Sequence, residues 1–280
     1  MDDKAIVITG ANGQVGRALQ KVYPQALALD REQLDITDQK AINEFNWDNT
    51  KVIINAAAWT DVDGAENPSN YNLVKAVNVD ASRYLATAAS QHDLTFVTFS
   101  SDYVFDGSQP IHNEDETFSP LNIYGKTKAD GDLAAATTIK HYIIRTSWVI
   151  GDGRNFVNIM QDLAARGVRP SVVNDQIGRL TFTDTLARGI KHLLEIGAPY
   201  GTYNLTNEGQ PASWAEIAKI VFEKSGKSPS DVQLVSTAEY FADKPNTAKR
   251  PLQSTLDLTK IEKTGFIPED WRDKLDKLLD

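Results

Sequence analysis

The chain has 280 residues, of which 41% are hydrophobic and 24% charged, an ordinary balance for a folded globular protein. Its formal net charge of -9 disfavours a nucleic-acid surface, because neutralising phosphates needs an excess of Lys and Arg. The absence of cysteine excludes disulfides and thiolate catalysis, and four scattered histidines predict no metal site. We find no basic, apolar leader and no apolar run of about 20 residues, so we expect a cytoplasmic protein that does not enter a membrane.

The first half of the chain alternates short apolar runs with longer helical segments. The runs predict strands at 5–9, 26–29, 52–55, 95–99 and 142–145, and the segments between them predict helices at 15–23, 38–45, 70–91 and 123–136. Apolar strands separated by helices indicate a parallel sheet covered on both faces. Right-handed crossovers then make the sheet doubly wound, in the Rossmann manner.

Past about residue 150 the pattern changes to helices at 156–166, 184–196, 214–224 and 257–263, mixed with short strands and Pro-containing loops. We therefore expect an α/β fold in which a smaller, mixed α/β C-terminal lobe accompanies the sheet. The predicted dinucleotide-binding domain comprises 1–148 and 171–206, and the predicted substrate-binding lobe comprises 149–170 and 207–280.

A glycine-rich segment, G-A-N-G-Q-V-G at 10–16, joins the first predicted strand to the first predicted helix. Glycine permits tight turns and lets backbone N–H groups approach a phosphate, which the positive end of the following helix also attracts. An ordinary strand–helix turn is the competing interpretation, and the position beside the first strand of an α/β chain argues against it. We expect Gly10, Gly13 and Gly16 to cradle the pyrophosphate of NADPH or NADH.

Two neighbouring residues at the end of the second predicted strand bear on the choice of cofactor. Asp30 is placed to accept hydrogen bonds from the adenosine ribose, whereas Arg31 could pair with a 2′-phosphate. The sequence therefore leaves NADH and NADPH unresolved. Asp35 and Ile36 are candidates for the adenine pocket and, equally, for a simple loop.

Small residues end the third predicted strand, where Ala57 and Ala58 precede Trp59 and Thr60. Open α/β sheets bind their ligands at the carboxyl ends of the strands, and small residues there let a ligand approach the backbone. Tight packing between sheet and helix is an equal explanation of the same pattern.

After the glycine turn, the chain provides a hydroxyl, a phenol and an ammonium group, three groups that suit the reduction of a ketone. Ser101 ends the fourth predicted strand, and Tyr124 and Lys128 lie one turn apart on the next helix. Hydride addition to a ketone needs a proton for the developing alkoxide. We expect the Lys128 ammonium to lower the pKa of the Tyr124 phenol and Ser101 to orient the ketone oxygen. A surface Tyr–Lys pair is the alternative for the helix motif alone.

With these residues in place, the chain resembles the extended short-chain dehydrogenase/reductase superfamily and, within it, the dTDP-4-dehydrorhamnose reductase family. The resemblance runs nearly end to end. It rests on G-x-x-G-Q-V-G at 10–16, N-A-A-A-x-T at 55–60, S-D-Y-V-F-D-G at 101–107, P-x-x-x-Y-G-x-x-K at 120–128, R-T-S-W-V at 145–149, N-D-Q-x-G at 174–178 and R-P-x-x-S-x-L-D at 250–257.

The resemblance implies NAD(P)H-dependent reduction of the 4-keto group of dTDP-4-dehydro-L-rhamnose, a small-molecule sugar nucleotide, to dTDP-L-rhamnose. The implied catalytic residues are Ser101, Tyr124 and Lys128. The implied cofactor contacts are Gly13, Gln14, Val15, Asp30, Asp35, Ile36, Ala58, Trp59 and Thr60. The implied contacts to the sugar nucleotide are Ser101, Asp102, Trp148, Asn174, Arg179 and Arg250.

The sequence departs from the family pattern at two places. Ser101 stands where the family commonly has threonine, and the hydroxyl is kept. Metal-linked homodimers of the family use a glutamate just after the glycine turn, where this chain has Arg17 and Ala18. We therefore expect no metal and a monomer, with a homodimer left open.

Two other classes of protein remain as alternatives. A sugar-nucleotide dehydratase of this superfamily has an Asp-Glu pair after the strand-four hydroxyl, where this chain has Asp102 and Tyr103, and epimerases usually carry a longer C-terminal half. A non-catalytic, cofactor-binding regulatory subunit is the other alternative. An intact Ser, Tyr and Lys set weighs against it.

Overall fold

A computed structural model describes residues 2–244 and 247–280 of the chain. Its strands are β1 (Ile6–Thr9), β2 (Leu27–Leu29), β3 (Val52–Asn55), β4 (Thr95–Ser101), β5 (His141–Thr146), β6 (Val149–Ile150), β7 (Ser171–Val173), β8 (Ile177–Gly178), β9 (Thr181–Phe182), β10 (Gly201–Asn204), β11 (Ala212–Ser213) and β12 (Gln233–Val235). The five strands predicted in the first half are confirmed to within two residues at either end.

Six of these strands form one parallel sheet in the order β10-β5-β4-β3-β1-β2. Every residue of β1 and β3 is buried, as expected for central strands that are covered on both faces. The doubly wound sheet is thus confirmed. The edge strand β10 was not among the predicted strands, because G-T-Y-N is short and has little apolar character.

The α-helices are α1 (Gln14–Val22), α2 (Gln39–Glu44), α3 (Val62–Ala65), α4 (Tyr71–Lys75), α5 (Ala81–Gln91), α6 (Ile123–Ala135), α7 (Phe156–Ala165), α8 (Thr183–Ile196), α9 (Trp214–Lys224), α10 (Thr237–Phe241), α11 (Thr259–Glu262) and α12 (Trp271–Leu279). The helix predicted at 257–263 is shorter than expected. Its first predicted residue, Asp257, donates its N–H to the His112 carbonyl and accepts the Thr259 N–H through its side chain, so the helix starts after it.

The single helix predicted at 70–91 contains a π-helical turn at Ala76–Asp80, between α4 and α5. The buried Asn78 lies in this turn. Its side-chain oxygen accepts the Trp59 N–H at 2.9 Å, and its amide donates to Thr127 Oγ1 at 3.1 Å. Such π turns are frequent at functional sites, and this one joins the loop after β3 to α6.

Two hydrophobic clusters cover the two faces of the sheet, one under α1 and α8 and the other under α2 and α5. A third cluster lies in the C-terminal half and gathers α7, α9 and α12 around the fully buried Trp271. The residue division into two domains stays a prediction. The helices within residues 2–244 and 247–280 lack the length and the apolar character that a membrane-spanning segment needs.

Candidate active site

A cleft of about 820 Å³ opens at the carboxyl ends of the sheet strands. Most of the predicted site residues line it, and they lie at the ends of β1 to β5 or in the segments that follow these strands. Those that line it are Gly10, Gly13, Gln14, Val15, Asp30, Asp35, Ile36, Ala57, Ala58, Thr60, Ser101, Asp102, Tyr124, Lys128 and Trp148. The fold therefore brings the predicted cofactor and catalytic groups into one space.

The glycine turn between β1 and α1 is packed against the end of β3. Gly10 has a φ of +72°, and a Cβ built on it would lie 2.5 Å from the Ala57 nitrogen. A Cβ on Gly16 would overlap the Gly10 carbonyl oxygen. The turn thus needs glycine both for conformation and for close approach. Gly13 is the N-cap of α1 and has no capping side chain, so the first N–H groups of the helix and its dipole favour an anion.

Arg17, which the sequence analysis did not place in the site, also lines the cleft. Its guanidinium donates to the carbonyls of Asn12 and Asp152. Lys21, one turn later on α1, pairs with the Asp152 carboxylate at 2.8 Å. The loop after β6 is thereby tied down over the glycine turn. This contact joins residues far apart in the chain, so no local sequence signal announces it.

Asp30, at the end of β2, lines the cleft with a carboxylate that three hydrogen bonds hold in place. Asp30 accepts the N–H groups of Glu32 and Gln33 through Oδ1 and the Asn12 amide through Oδ2. The next residue, Arg31, lies 3.2 Å from the Asp35 carboxylate and also lines the cleft. A candidate ribose acceptor and a candidate 2′-phosphate partner therefore lie side by side.

The end of β4 supplies the predicted hydroxyl and carboxyl groups. The Ser101 side chain accepts the Tyr103 N–H at 3.1 Å, which caps a short 3-10 turn, and donates to Asp102 Oδ1 at 2.9 Å. Burial raises the pKa of Asp102 to about 6, although the hydrogen bond from Ser101 opposes the shift.

Tyr124 and Lys128 are held one helical turn apart near the start of α6. The helix is capped by Asn122, whose side chain accepts the Gly125 N–H at 2.7 Å. A Cβ on Gly125 would overlap the Tyr103 carbonyl oxygen, so glycine lets the helix approach the turn after β4. The rings of Tyr103 and Tyr124 then meet edge to face, with their centroids 5.6 Å apart. The helix is docked firmly onto the strand end that carries Ser101.

The charge states of this pair differ from the sequence expectation. Burial raises the pKa of Tyr124 to about 12, although the neighbouring Ser101 hydroxyl acts to lower it. Burial also lowers the pKa of Lys128 to about 8, and its Nζ donates to the Phe99 carbonyl at 2.5 Å. The expected lowering of the phenol pKa is therefore absent here, because desolvation outweighs the nearby polar groups. A phenol of this kind is protonated at neutral pH.

Trp148 faces the cleft from a strained backbone position. Its φ is +48°, in the left-handed region that a tryptophan rarely adopts. Its ring stacks on Trp214 with centroids 3.7 Å apart, and a Cβ on Gly178 would lie 2.9 Å from it. Trp214 thus packs directly against a predicted substrate contact.

Five predicted site residues lie outside the cleft lining, namely Gly16, Trp59, Asn174, Arg179 and Arg250. Arg179 donates to the carbonyls of Gly209 and Leu256. Arg250 pairs with Asp63 of α3 at 2.7 Å, a partner that the sequence analysis did not identify. The ligand roles assigned to these five residues stay predictions.

A family model described as the RmlD substrate binding domain matches residues 4–280. The chain belongs to this family. It is 40% identical to a dTDP-4-dehydrorhamnose reductase of Aggregatibacter actinomycetemcomitans, with 95% of each chain covered. It is also 36% identical to the spore coat polysaccharide biosynthesis protein SpsK of Bacillus subtilis, over 98% of this chain and 96% of that protein.

Solved structures of the family agree with this membership over the whole chain. A dTDP-4-dehydrorhamnose reductase from Clostridium acetobutylicum is 36% identical and superposes with a TM-score of 0.89, with 97% of each chain covered. The Bacillus anthracis reductase, solved in complex with NADP, is 33% identical with a TM-score of 0.88 and the same coverage. The family resemblance inferred from the motifs is confirmed.

Proposed function

We propose that this chain is an NAD(P)H-dependent dTDP-4-dehydrorhamnose reductase, which reduces the 4-keto group of dTDP-4-dehydro-L-rhamnose to give dTDP-L-rhamnose. The observation that carries the proposal is the convergence of a glycine-cradled helix N-terminus with Ser101, Tyr124 and Lys128 in one cleft. Full-length relatives of that name support the choice of substrate.

The cleft fits a dinucleotide cofactor. The space beside Gly10 and Gly13 is backbone-lined and closes on a helix N-terminus, which suits a pyrophosphate. Asp30 would hold the adenosine ribose, and Ala57, Ala58 and Thr60 would border the cofactor further along the cleft. When bound, the reduced nicotinamide supplies the hydride for the reduction. Asp30 and Arg31 favour different cofactors, so both NADH and NADPH remain candidates.

The chain's own residues manage the proton and the developing charge. Tyr124 is protonated at neutral pH because burial raises the pKa of its phenol, so it can donate a proton to the oxygen on C4. The Lys128 ammonium stabilises the phenolate that remains. The Ser101 hydroxyl, which donates to Asp102 Oδ1 in the structure, would rotate to donate its hydrogen bond to the same C4 oxygen. Asp102 and Trp148 would contact the sugar, the former with a carboxyl that is half protonated near pH 6 because burial raises its pKa.

A direct assay tests the proposal. Purified enzyme is mixed with dTDP-4-dehydro-L-rhamnose and either NADH or NADPH, and the loss of reduced-cofactor absorbance is followed together with formation of dTDP-L-rhamnose. We expect one cofactor consumed for each product formed. dTDP-glucose, which has no ketone, is the control and should leave the absorbance unchanged.

The rival functions give different outcomes in the same assay. A dehydratase or epimerase would convert its sugar nucleotide without net consumption of NAD(P)H, and a regulatory subunit would bind the cofactor without turnover. Either result would replace the reductase proposal. A negative result with both cofactors at high enzyme concentration would also overturn it.

The oligomeric state and location complete the proposal. Arg17 uses its guanidinium within its own chain, on the carbonyls of Asn12 and Asp152, and offers no carboxylate to a metal. We therefore expect a monomer in the cytoplasm whose mass, measured by light scattering, is the same with Mg²⁺ and with EDTA. A dimer that dissociates in EDTA would contradict this expectation.

A further inference from the structure

A buried ion pair lies directly behind the proposed catalytic residues. Asp132 of α6 and Arg145 of β5 are joined at 3.1 Å, and their side chains are only 4% and 5% exposed. Arg145 also donates to the Glu114 carbonyl at 2.9 Å and lies over the rings of Phe105 and Phe118. These contacts fix the guanidinium, and the guanidinium in turn fixes the Asp132 carboxylate.

The same carboxylate faces the catalytic end of α6. Asp132 lies one turn after Lys128, hence on the same face of the helix, and both residues are buried. Arg145, which holds the Asp132 carboxylate, is the residue of β5 that pairs with Ser100 of β4. The carboxylate is therefore held next to the strand that carries the Ser101 hydroxyl and one helical turn from the ammonium.

The buried Lys128 ammonium is stabilised by the negative charge of Asp132. Its Nζ donates to a neutral carbonyl, that of Phe99, which does not balance its charge. Burial lowers the pKa of Lys128 to about 8, and the negative charge of Asp132 opposes that shift. A buried ammonium without a compensating charge would lose its proton more readily still.

The other groups that pack around this helix face are few. β5 contributes Arg145, and the turn after β4 contributes Asp102, which raises the pKa of Tyr124 together with Asp132. The π turn contributes the uncharged Asn78, which bonds to Thr127. On α6 itself the facing groups are Tyr124 and Lys128. Among them Asp132 is the carboxylate that acts on both proposed catalytic residues of the helix.

We propose that Asp132 is a positioning residue for the reaction, a buried carboxylate that keeps the Lys128 side chain in its ammonium form beneath Tyr124. The inference rests on the proposed function of Tyr124 and Lys128. Asp132 does not line the cleft. It acts through the charge of Lys128.

The pH dependence of turnover separates this role from a purely structural one. In Asp132→Asn, Lys128 and Tyr124 both lose a negative neighbour, so both release their protons at lower pH. We expect the alkaline limb of the kcat profile for ketone reduction to move down by roughly one pH unit. A limb at the wild-type position, with only the height of the profile changed, would overturn the proposal.

The same helix offers a matched control. Asp130 makes a pair of the same spacing with Lys126 at 3.0 Å, but on the exposed side of α6. Asp130→Asn removes one negative charge from the same helix and should leave the limb where it is. Asp132→Glu keeps the carboxylate and should restore the wild-type limb.

A second variant guards against misfolding, because Asp132→Asn leaves Arg145 buried without its partner. Asp132→Asn combined with Arg145→Gln replaces the ion pair by two amides, a change that buried ion pairs often tolerate. The limb of this double variant should also move to lower pH, but by less than in Asp132→Asn, because loss of the Arg145 cation favours the Lys128 ammonium. A limb that stays at the wild-type position in both the single and the double variant would count against the role of Asp132.

A measurement without turnover completes the test. Lysine side chains labelled with ¹³C are titrated by NMR, and the Lys128 signal is identified by its loss in Lys128→Arg. Its titration should shift to lower pH in Asp132→Asn and stay unchanged in Asp130→Asn. If wild type fails to reduce the sugar nucleotide while this shift is seen, the proposed function fails and the electrostatic role stands. If wild type is active and no shift is seen, the inference alone fails.

Discussion

Backbone atoms determine the shape of the cleft at the end nearest β1 and β2, whereas side chains determine it at the end nearest β4 and β5. The first end depends on Gly10, which allows the turn to approach Ala57, and on Gly16, which leaves room for the Gly10 carbonyl. The second end depends on Ser101, Tyr124 and Trp148, each held by another side chain or by a neighbouring helix. The glycine turn leaves no room for an added side-chain atom. At the other end, a single functional group can be removed while the backbone keeps its position. Substitutions at the two ends should therefore fail in different ways.

The largest effect is expected at the side-chain end. Tyr124→Phe removes the proposed proton donor but keeps the ring against Tyr103, so kcat should fall by about 10²–10⁴-fold. The affinity for NADH or NADPH, measured by fluorescence titration, should stay close to the wild-type value. A variant with full turnover would show that the proton comes from elsewhere.

At the backbone end, Gly10→Ala should lose stability and cofactor binding together. The added Cβ meets the Ala57 backbone at 2.5 Å and the residue keeps a φ of +72°, which together should cost about 3 kcal/mol or more in free energy of unfolding. Urea unfolding monitored by circular dichroism measures the loss.

Gly226→Ala is the control for that change. Gly226 has a φ of +71°, and no heavy atom of the described residues lies within 4 Å of an added Cβ. This variant should lose only the cost of the left-handed backbone, about 1–2 kcal/mol, with cofactor affinity unchanged. Equal losses in the two variants would mean that the close approach to Ala57 contributes nothing.

Asp102 gives a pH-dependent prediction of intermediate size. Burial raises its pKa to about 6 in the folded chain, so the folded state holds its proton more tightly than the unfolded state does. This group therefore stabilises the fold below about pH 4 relative to neutral pH, and the benefit is lost as the pH rises through about 6. Asparagine does not titrate in this range. The free energy of unfolding of Asp102→Asn should therefore rise by about 2 kcal/mol relative to that of wild type between pH 4 and pH 7. Parallel stability curves would contradict the prediction.

The smallest effect is expected at Trp214, which supports the Trp148 ring from behind. Trp214→Leu removes the stack at 3.7 Å, and aromatic pairs contribute about 0.5–1.5 kcal/mol beyond the area they bury. We expect KM for the sugar nucleotide to rise roughly 2- to 10-fold with a smaller change in kcat. Trp214→Phe retains an aromatic face and should lie close to wild type. A kcat defect without a change in KM would argue against a role in substrate binding.

Much of the fold and of the candidate site could be predicted because the relevant signals are local. The apolar strands, the glycine turn at 10–16 and the spacing of Tyr124 and Lys128 each lie within one short segment. Their order along a doubly wound sheet then brings them to the same edge. The cleft lining of Ser101, Tyr124 and Lys128 agrees with that reasoning, while their chemical roles stay predictions.

The features that were missed depend on contacts between distant segments. The Asp63–Arg250 pair and the bond from Arg17 to the Asp152 carbonyl join residues that no periodicity connects. The raised pKa of Tyr124 depends on how completely α6 is covered, which spacing alone does not reveal. The π turn has no signature in the apolar pattern, because its extra residue is explained only by the hydrogen bonds of Asn78.

Asn78 has a mechanical consequence for the whole cleft. One side-chain amide bonds both the loop after β3, on the cofactor side, and the helix that carries Tyr124 and Lys128. Separating the two would leave a buried amide unsatisfied, at a cost of about 1–3 kcal/mol. The loop after β3 and the helix that carries Tyr124 and Lys128 are thus held in a fixed relation to each other by one side chain.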